Sequence, residues 1–149
     1  MEYMEYEGST AGMAYNLSVK KERDVLQVCV TGERTRAAVV AVSKEILAAC
    51  LQEGTAKLLI DVRQFRGRLA LIDDYEVPAK EFPALPPHGG SLKASAVVDL
   101  PENADRFVFF EDVARARGFN FRVFPDIDRA LQWLDSQTKQ LADSGRKGS

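Results

Sequence analysis

Four short apolar segments, separated by stretches long enough to form helices, constrain the fold of this chain more than any other feature. They are VLQVCV at 25–30, LLIDV at 58–62, SLKASAVVDL at 91–100 and NFRVF at 120–124. Val, Ile and Phe are frequent in them, which is typical of buried strands. Strands that alternate with helices favour a mostly parallel sheet with right-handed crossover connections.

A hairpin precedes the first crossover. In NLSVKKERDVLQVCVTGE, residues 16–33, Leu17 and Val19 alternate with polar neighbours, and Lys21–Asp24 are expected to form the turn. The predicted fold class is therefore α/β, with a mostly parallel mixed five-stranded sheet and four helices in the order β-β-α-β-α-β-α-β-α. One edge strand is expected to be antiparallel.

Two of the four helices have clear end signals. Thr35 is expected to cap a helix over 36–52, which Gly54 ends. A helix over 103–117 is expected to end at Gly118. Its apolar residues recur at helical spacing, which predicts a buried stripe.

The helix predicted over 69–82 has a proline, Pro78, in its interior, which should kink or divide it. Four of its apolar residues recur at intervals of four, four and three and are expected to share one face: Leu71, Tyr75, Ala79 and Phe82. The segment PALPPHGG at 83–90 is expected to form a loop. A kinked helix next to these prolines suggests a lid over a pocket.

The chain length of 149 residues suits one domain. We expect a flexible N-terminal arm over 1–13, one α/β domain over 14–140 and a disordered tail over 141–149.

Composition excludes several classes of protein. The net charge of −2 argues against a nucleic-acid partner, because general nucleic-acid binders are usually basic. The N-terminus has no basic and apolar leader, and no run approaches the ~18 apolar residues of a transmembrane helix. Cytoplasmic location is therefore expected.

Cys29 and Cys50 are expected to be buried free thiols, with a disulfide as the alternative in an oxidising compartment.

No combination of residues predicts catalysis, a metal site or a cofactor. His88 is the single histidine and stands in a loop with no cysteine near it. Gly89 and Gly90 lead into a strand and so do not match a phosphate-binding loop, which opens a helix. Asp73 and Asp74 are adjacent on a helix, diverge by ~100° and are expected to be solvated. The chain is therefore predicted not to be an enzyme.

The stretch KLLIDVRQFRGRLALIDD, residues 57–74, places Arg63, Arg66 and Arg68 in one loop after a buried strand that ends in Asp61. Three interpretations remain open: a solvated loop, ion pairing to Asp73, Asp74 or Glu76, and contact with an anion or an acidic partner. Arginine suits the last role because its planar guanidinium binds carboxylate or phosphate with two hydrogen bonds. The candidate contact residues are Arg63, Arg66, Arg68 and Tyr75.

Two stretches, LLIDVRQFRGRLALIDDYE at 58–76 and FFEDVARARGFNFRVFPDIDRAL at 109–131, together with the order of elements, resemble the STAS fold of SpoIIAA-like anti-sigma-factor antagonists. The likeness is to the bacterial branch that is often grouped with CRAL-TRIO lipid-transfer domains, and it covers about residues 15–137. In those antagonists, the resemblance implies, a strand ending in Asp leads to a serine at a helix N-terminus, which a partner kinase phosphorylates. Asp61 matches that Asp, but RGRLALIDD at 66–74 contains no Ser or Thr.

Two functions follow as hypotheses. The first is a non-catalytic interaction or regulatory module of the STAS type without the phosphorylatable serine, which binds a protein partner or self-associates. The second is a carrier of a small apolar or lipid-like ligand, which the resemblance to the lipid-transfer branch and the helix broken at Pro78 suggest.

Overall fold

The computed structural model describes residues 3–10, 13–84 and 92–147, with side chains over 15–83, 92–103 and 107–137. The strands are β1 (Tyr3–Thr10), β2 (Met13–Glu22), β3 (Val25–Glu33), β4 (Lys57–Arg66), β5 (Ala94–Val98) and β6 (Phe121–Phe124). The helices are α1 (Arg36–Glu53), α2 (Leu71–Glu76), a π-helical turn (Val77–Glu81), α3 (Phe82–Ala84), α4 (Pro101–Ala116) and α5 (Ile127–Lys147).

These strands form one mixed sheet in the order β1-β2-β3-β4-β5-β6. The β1–β2 and β2–β3 pairs are antiparallel, and the β3–β4, β4–β5 and β5–β6 pairs are parallel. The predicted α/β fold class is therefore confirmed, and the five predicted strands are all present. A sixth, β1, pairs along the outer edge of β2.

The first layer of helices packs on one face of the sheet and buries the main core. Val42 and Ile46 of α1 and Phe110 of α4 lie against Leu26, Val28 and other apolar side chains of the strands. Thr35 caps α1 by accepting a hydrogen bond from the Ala38 N–H at 3.1 Å, and Gly54 ends the helix with φ +63°.

A second, smaller core lies on the opposite face. There α5 buries Ala130 and Leu134 against Leu59, Ala96 and Val98. Asp126 caps α5 by accepting from the Arg129 N–H at 2.8 Å. Because α5 packs mainly on β4, β5 and β6, the two faces of the sheet are covered unequally.

Strand β4 continues well past Asp61, where the strand was expected to end. The pairing with β3 shifts between Cys29 and Thr31, so β4 contains a bulge of one extra residue. The bulge changes the alternation, and Val62 and Phe65 both reach the main core. A strict period of two does not predict this, which is why the sequence predicted too short a strand.

The segment over 71–84 is divided at Pro78, as expected, but in a different way from a simple kink. Pro78 has no backbone N–H to donate, and the helix widens to a π-helical turn in which the Phe82 N–H bonds to the Val77 carbonyl. The wider turn changes the helical phase. The expected apolar face is wrong at its start, because Leu71 is 64% exposed while Val77 and Pro78 are buried.

Both termini differ from the expectation. Tyr3–Thr10, expected to be a flexible arm, pairs residue by residue with β2. Helix α5, expected to give way to a disordered tail after 140, continues to Lys147, and residues 138–144 contain no glycine or proline to stop it. The limits of the domain, 14–140, stay a prediction.

Cys29 and Cys50 are free thiols, as expected, although Cys29 is only half-buried. Within the described part of the chain, no helix has the length and apolar character needed to cross a membrane.

Candidate functional site

Asp61 and Arg63 stand on the bulged stretch of β4, at the carboxyl edge of the sheet. Arg63 Nε and Nη2 donate to Asp61 Oδ1 and Oδ2 at 2.9 and 2.8 Å, and the Arg63 backbone N–H donates to Oδ1 at 3.1 Å. Burial raises the pKa of Asp61, but the hydrogen bonds from Arg63 outweigh burial and hold it below its usual value. Arg63 is thus on a strand and paired, and its expected place in a loop is wrong.

Arg66 and Arg68 are both exposed. Arg66 is the last residue of β4, so it too is on the strand. Arg68 lies in the loop after Gly67, and its guanidinium donates to Asn103 Oδ1 at 3.1 Å and to the Glu102 carbonyl at 2.7 Å. Arg68 therefore ties the loop to the start of α4, while the Arg66 guanidinium extends from the strand end into solvent.

A fourth arginine, Arg34, forms the centre of this edge. Its Nη1 and Nη2 donate to Asp99 Oδ2 and Oδ1 at 2.9 and 3.3 Å, its Nη2 also to the Val62 carbonyl at 3.0 Å, and its Nε to the Phe65 carbonyl at 3.1 Å. The guanidinium also lies 5.5 Å from the centroid of the Phe65 ring. The Arg34 side chain is 8% exposed and that of Asp99 is fully buried.

Arg34 thus joins the ends of β3, β4 and β5 in one hydrogen-bonded unit, which we call the edge clamp (Arg34 and Asp99). Neither residue was among the candidates predicted from the sequence. The available signal was weak: Asp99 directly follows a buried strand, and the carboxyl ends of parallel strands meet at one edge.

The start of α2 presents an apolar surface to solvent. Leu71, Ile72 and Tyr75 are 64, 61 and 39% exposed. Residues three and four apart are neighbours on a helix, so the three form one continuous surface, which we call the α2 patch. Ala70 holds the N-cap position and makes no side-chain hydrogen bond, so no hydroxyl stands where the resemblance places a serine.

Two carboxylates of this segment, Asp73 and Glu76, are bound by Arg36 and Lys80. Arg36, at the start of α1, donates to Asp73 Oδ1 at 3.1 Å and to Glu76 Oε1 at 2.7 Å. Lys80 Nζ donates to Glu76 Oε2 at 2.9 Å, and these bonds, with that of Lys80 first, lower the pKa of Glu76. The expectation of a solvated face is wrong for Asp74, which is buried.

A cavity of about 90 Å³ lies beneath the segment 71–84, between α1, α4 and the sheet. Most of its wall is apolar, from side chains that include Val42, Ile46, Val62, Phe65, Phe82 and Phe110. Phe82 closes one side through edge-on contacts with the rings of Phe110 and Phe119, whose centroids are 5.5 and 5.6 Å away. Arg34, Asp74 and Asn103 contribute its polar rim.

The described side chains contain no group of three or more His, Cys, Asp or Glu residues that could hold a metal ion. His88, Gly89 and Gly90 lie outside the described residues.

Comparisons with known proteins agree with this architecture. A search of curated proteins finds no match. Among solved structures, an anti-sigma factor antagonist from Mycobacterium paratuberculosis matches with a TM-score of 0.52 and 18% identity, over 80% of this chain and 92% of that one. An uncharacterised protein with a SpoIIAA-like fold from Shewanella loihica PV-4 has 22% identity and a TM-score of 0.48, over 85% of this chain and 99% of that one.

At such identity the antagonist demonstrates a shared fold. The SpoIIAA-like family model matches residues 25–135, from β3 into α5. That range is most of the chain and contains the edge clamp, the α2 patch and the cavity. The chain belongs to the SpoIIAA-like family.

Proposed function

We propose that this chain is a non-catalytic interaction module of the STAS type that works without a phosphorylated serine. The α2 patch is the observation that carries the proposal. Single exposed apolar residues are ordinary, but three that adjoin on one helical turn form a surface that favours contact with another protein. The partner is a second protein or a second copy of this chain.

The surroundings of the α2 patch support this role. Asp73 and Glu76, partly buried carboxylates of the same helix, are bound by Arg36. Arg66, the last residue of β4, directly precedes the loop over 67–70 that leads into α2. The patch is therefore apolar with a positive charge near it, and we expect the contacting surface to combine apolar and acidic side chains.

The residues at the start of α2 also indicate how the contact is controlled. Segment 66–74 contains no Ser or Thr, so phosphorylation there does not break the contact. We infer that regulation, where it exists, acts on the partner or on the amount of this chain. Cytoplasmic location is part of this proposal.

Site-specific photo-crosslinking tests the proposal. A photo-reactive phenylalanine analogue at position 72 should give discrete adducts, to a partner or to a second copy, when the protein is irradiated in cells. The double variant L71D/I72D should remove concentration-dependent association in sedimentation velocity, because it puts two charges into the contact. Adducts at position 72 that do not exceed those at a control position would refute the proposal.

Leu51 provides the matched control. It is 44% exposed, apolar and helical like the α2 patch, but it lies at the end of α1, next to the amino edge of β4. The analogue at position 51 and the variant L51D should leave adducts and sedimentation at background and wild-type levels. Circular dichroism should show all these proteins folded, because the altered side chains are exposed.

A second candidate function, a carrier of a small apolar ligand, is supported by the cavity. Its volume of about 90 Å³ is well below the ~300 Å³ at which ordinary small-molecule sites begin. A whole lipid therefore requires the segment 71–84 to move, and the grouping with CRAL-TRIO domains stays a prediction. Native mass spectrometry after gentle extraction should show a bound small molecule; an apo mass without any ligand-dependent rise in Tm argues against this candidate.

A further inference from the structure

A polar groove of about 350 Å³ opens beside β6, at the opposite edge of the sheet from the α2 patch. The last turn of α4 provides Arg115, β6 provides Arg122, and α5 provides Trp133, Ser136 and Gln137. The size is in the range of ordinary small-molecule sites. We call it the β6 groove.

Two arginines of the groove lie near the same carboxylate, but neither forms a hydrogen bond with it. Arg115 Nη1 and Arg122 Nε are 3.8 and 3.9 Å from the same atom, Oε1 of Glu111. Both distances are longer than the donor–acceptor distance of a hydrogen bond. The Arg115 and Arg122 side chains are 54 and 50% exposed, whereas the Glu111 side chain is 11% exposed. These three groups carry two positive charges and one negative charge. One positive charge at the mouth of the groove is therefore not balanced among them.

Glu111 has a separate structural task. Burial raises the pKa of its carboxyl group, whereas the charges of Arg115 and Arg122 and the backbone N–H of Val123, on the outer strand of the sheet, act in the opposite direction. Glu111 is on α4, and a helix that covers an edge strand such as β6 protects that edge against pairing with another chain. Glu111 thus serves the strand, and neither guanidinium group lies within hydrogen-bond distance of its Oε1 atom.

Two acceptors in the wall of the groove, Gln137 Oε1 and the Trp133 carbonyl, are already in use. Asn120 Nδ2 donates to Gln137 Oε1 at 3.0 Å, and Ser136 Oγ donates to the Trp133 carbonyl at 2.7 Å. Two guanidinium groups and few free acceptors favour an anion over a cation. Trp133 also lines the groove, and its aromatic ring can contact the body of a ligand.

We propose that the β6 groove binds the oxyanion of a small molecule, a phosphate monoester or a carboxylate, between Arg115 and Arg122. The ring or chain of that molecule lies against Trp133. The site is independent of the α2 patch, so each proposal stands or fails without the other.

The chain contains one tryptophan, so its fluorescence reports directly on the groove. We would titrate the full chain with phenyl phosphate and with benzoate, holding ionic strength constant with NaCl. A saturable change is expected with at least one probe. Saturation by phenyl phosphate alone assigns a phosphate ester, and saturation by benzoate alone assigns a carboxylate. No saturation by either probe overturns the proposal.

Variants locate the binding. R115Q and R122Q should each raise the Kd at least about tenfold, because each removes a charge-assisted hydrogen bond. R129Q is the matched control: Arg129 is a solvated arginine of α5, 68% exposed and paired with Asp126, and it should leave the Kd unchanged. Equal Kd values for R115Q, R122Q and the wild type overturn the proposal.

The variant E111Q distinguishes ligand binding from a structural effect. Glutamine keeps an oxygen for the Val123 N–H and removes the competing charge. We expect E111Q to lower the Kd by several-fold, which general loosening of the fold does not do. A higher Kd in an E111Q protein that is folded by circular dichroism contradicts the proposed geometry.

Discussion

Two sets of arginines at the same edge of the sheet have opposite environments. Arg34 is buried and donates to a carboxylate and to two backbone carbonyls. Three other arginines lie within six residues of sequence and at or near the surface: Arg63, Arg66 and Arg68. In the bonds described above, the side chain of Arg63 has one partner residue, that of Arg66 has none and that of Arg68 has two. The buried guanidinium therefore organises the fold, whereas in the second set only that of Arg66 has no bond described above and remains available for contact.

The difference follows from what surrounds each guanidinium. Removing Asp99 from water is costly, and the cost is offset only while Arg34 remains in place. An exposed arginine is already solvated, so its ion pairs contribute little. The contrast shows that clustering in sequence was a poor guide to energetic importance at this edge, and that burial is the better one.

The sharpest way to break this contrast is to remove Arg34. The variant R34M should lower the free energy of unfolding by about 3–5 kcal/mol, because it leaves the Asp99 carboxylate buried without its cation. Urea unfolding followed by circular dichroism measures the loss. R66M is the control and should lie within about 0.5 kcal/mol of the wild type. Equal losses in the two variants would show that Arg34 is not a clamp.

A double variant sharpens the same test. R34M/D99L removes both charges of the edge clamp, so it should be more stable than R34M alone. The coupling between the two positions comes from the double-mutant cycle. If the losses of stability caused by R34M and by D99L simply add in the double variant, the bond between Arg34 and Asp99 is not the source of the loss in R34M.

The segment over 71–84 gives a smaller version of the contrast. Phe82 packs edge-on against Phe110 and Phe119, whereas Tyr75 is 39% exposed on α2. F82A should cost about 2–3 kcal/mol, less than full burial would give, because Phe82 is only half-buried. Y75A should change stability by less than about 0.5 kcal/mol. Thermal and urea unfolding of both proteins would check this; a Y75A loss as large as that of F82A would place Tyr75 in the core.

Sequence predicted the parts of the fold that depend on neighbouring residues. The cap at Thr35 and the end of α1 at Gly54 are local signals, and both are confirmed. Alternation of strands and helices predicted the crossovers. The predicted length of β4 was wrong because a one-residue bulge moves the following side chains to the other face. No residue type in this stretch predicts the bulge.

Long-range contacts account for the rest of what sequence missed. Arg34 and Asp99 are 65 residues apart and meet only because β3, β4 and β5 are adjacent in the sheet. The π-helical turn after Pro78 changed the phase of the helix, so the apolar side chains at its start are exposed rather than buried. Sequence therefore named Tyr75 as a candidate contact but gave no reason to add Leu71 and Ile72.

The smallest predicted effect separates Arg63 from Arg66. Asp61 has a pKa below its usual value because the bonds from Arg63 outweigh burial. A carboxyl group with a lowered pKa in the folded state adds stability at neutral pH, and that stability is lost as pH falls through the folded-state pKa. In R63Q the effect of burial dominates, so the pKa of Asp61 should rise above its usual value.

R63Q should then be less stable than the wild type at neutral pH, by under about 1 kcal/mol because the pair is partly solvated. The difference should shrink as pH falls and Asp61 takes up a proton in the wild type as well. NMR titration of the Asp61 carboxyl carbon measures the pKa, with R66Q as the matched control. A shift in R66Q equal to that in R63Q would mean that the general positive field of the edge, and not the bidentate bond, controls Asp61.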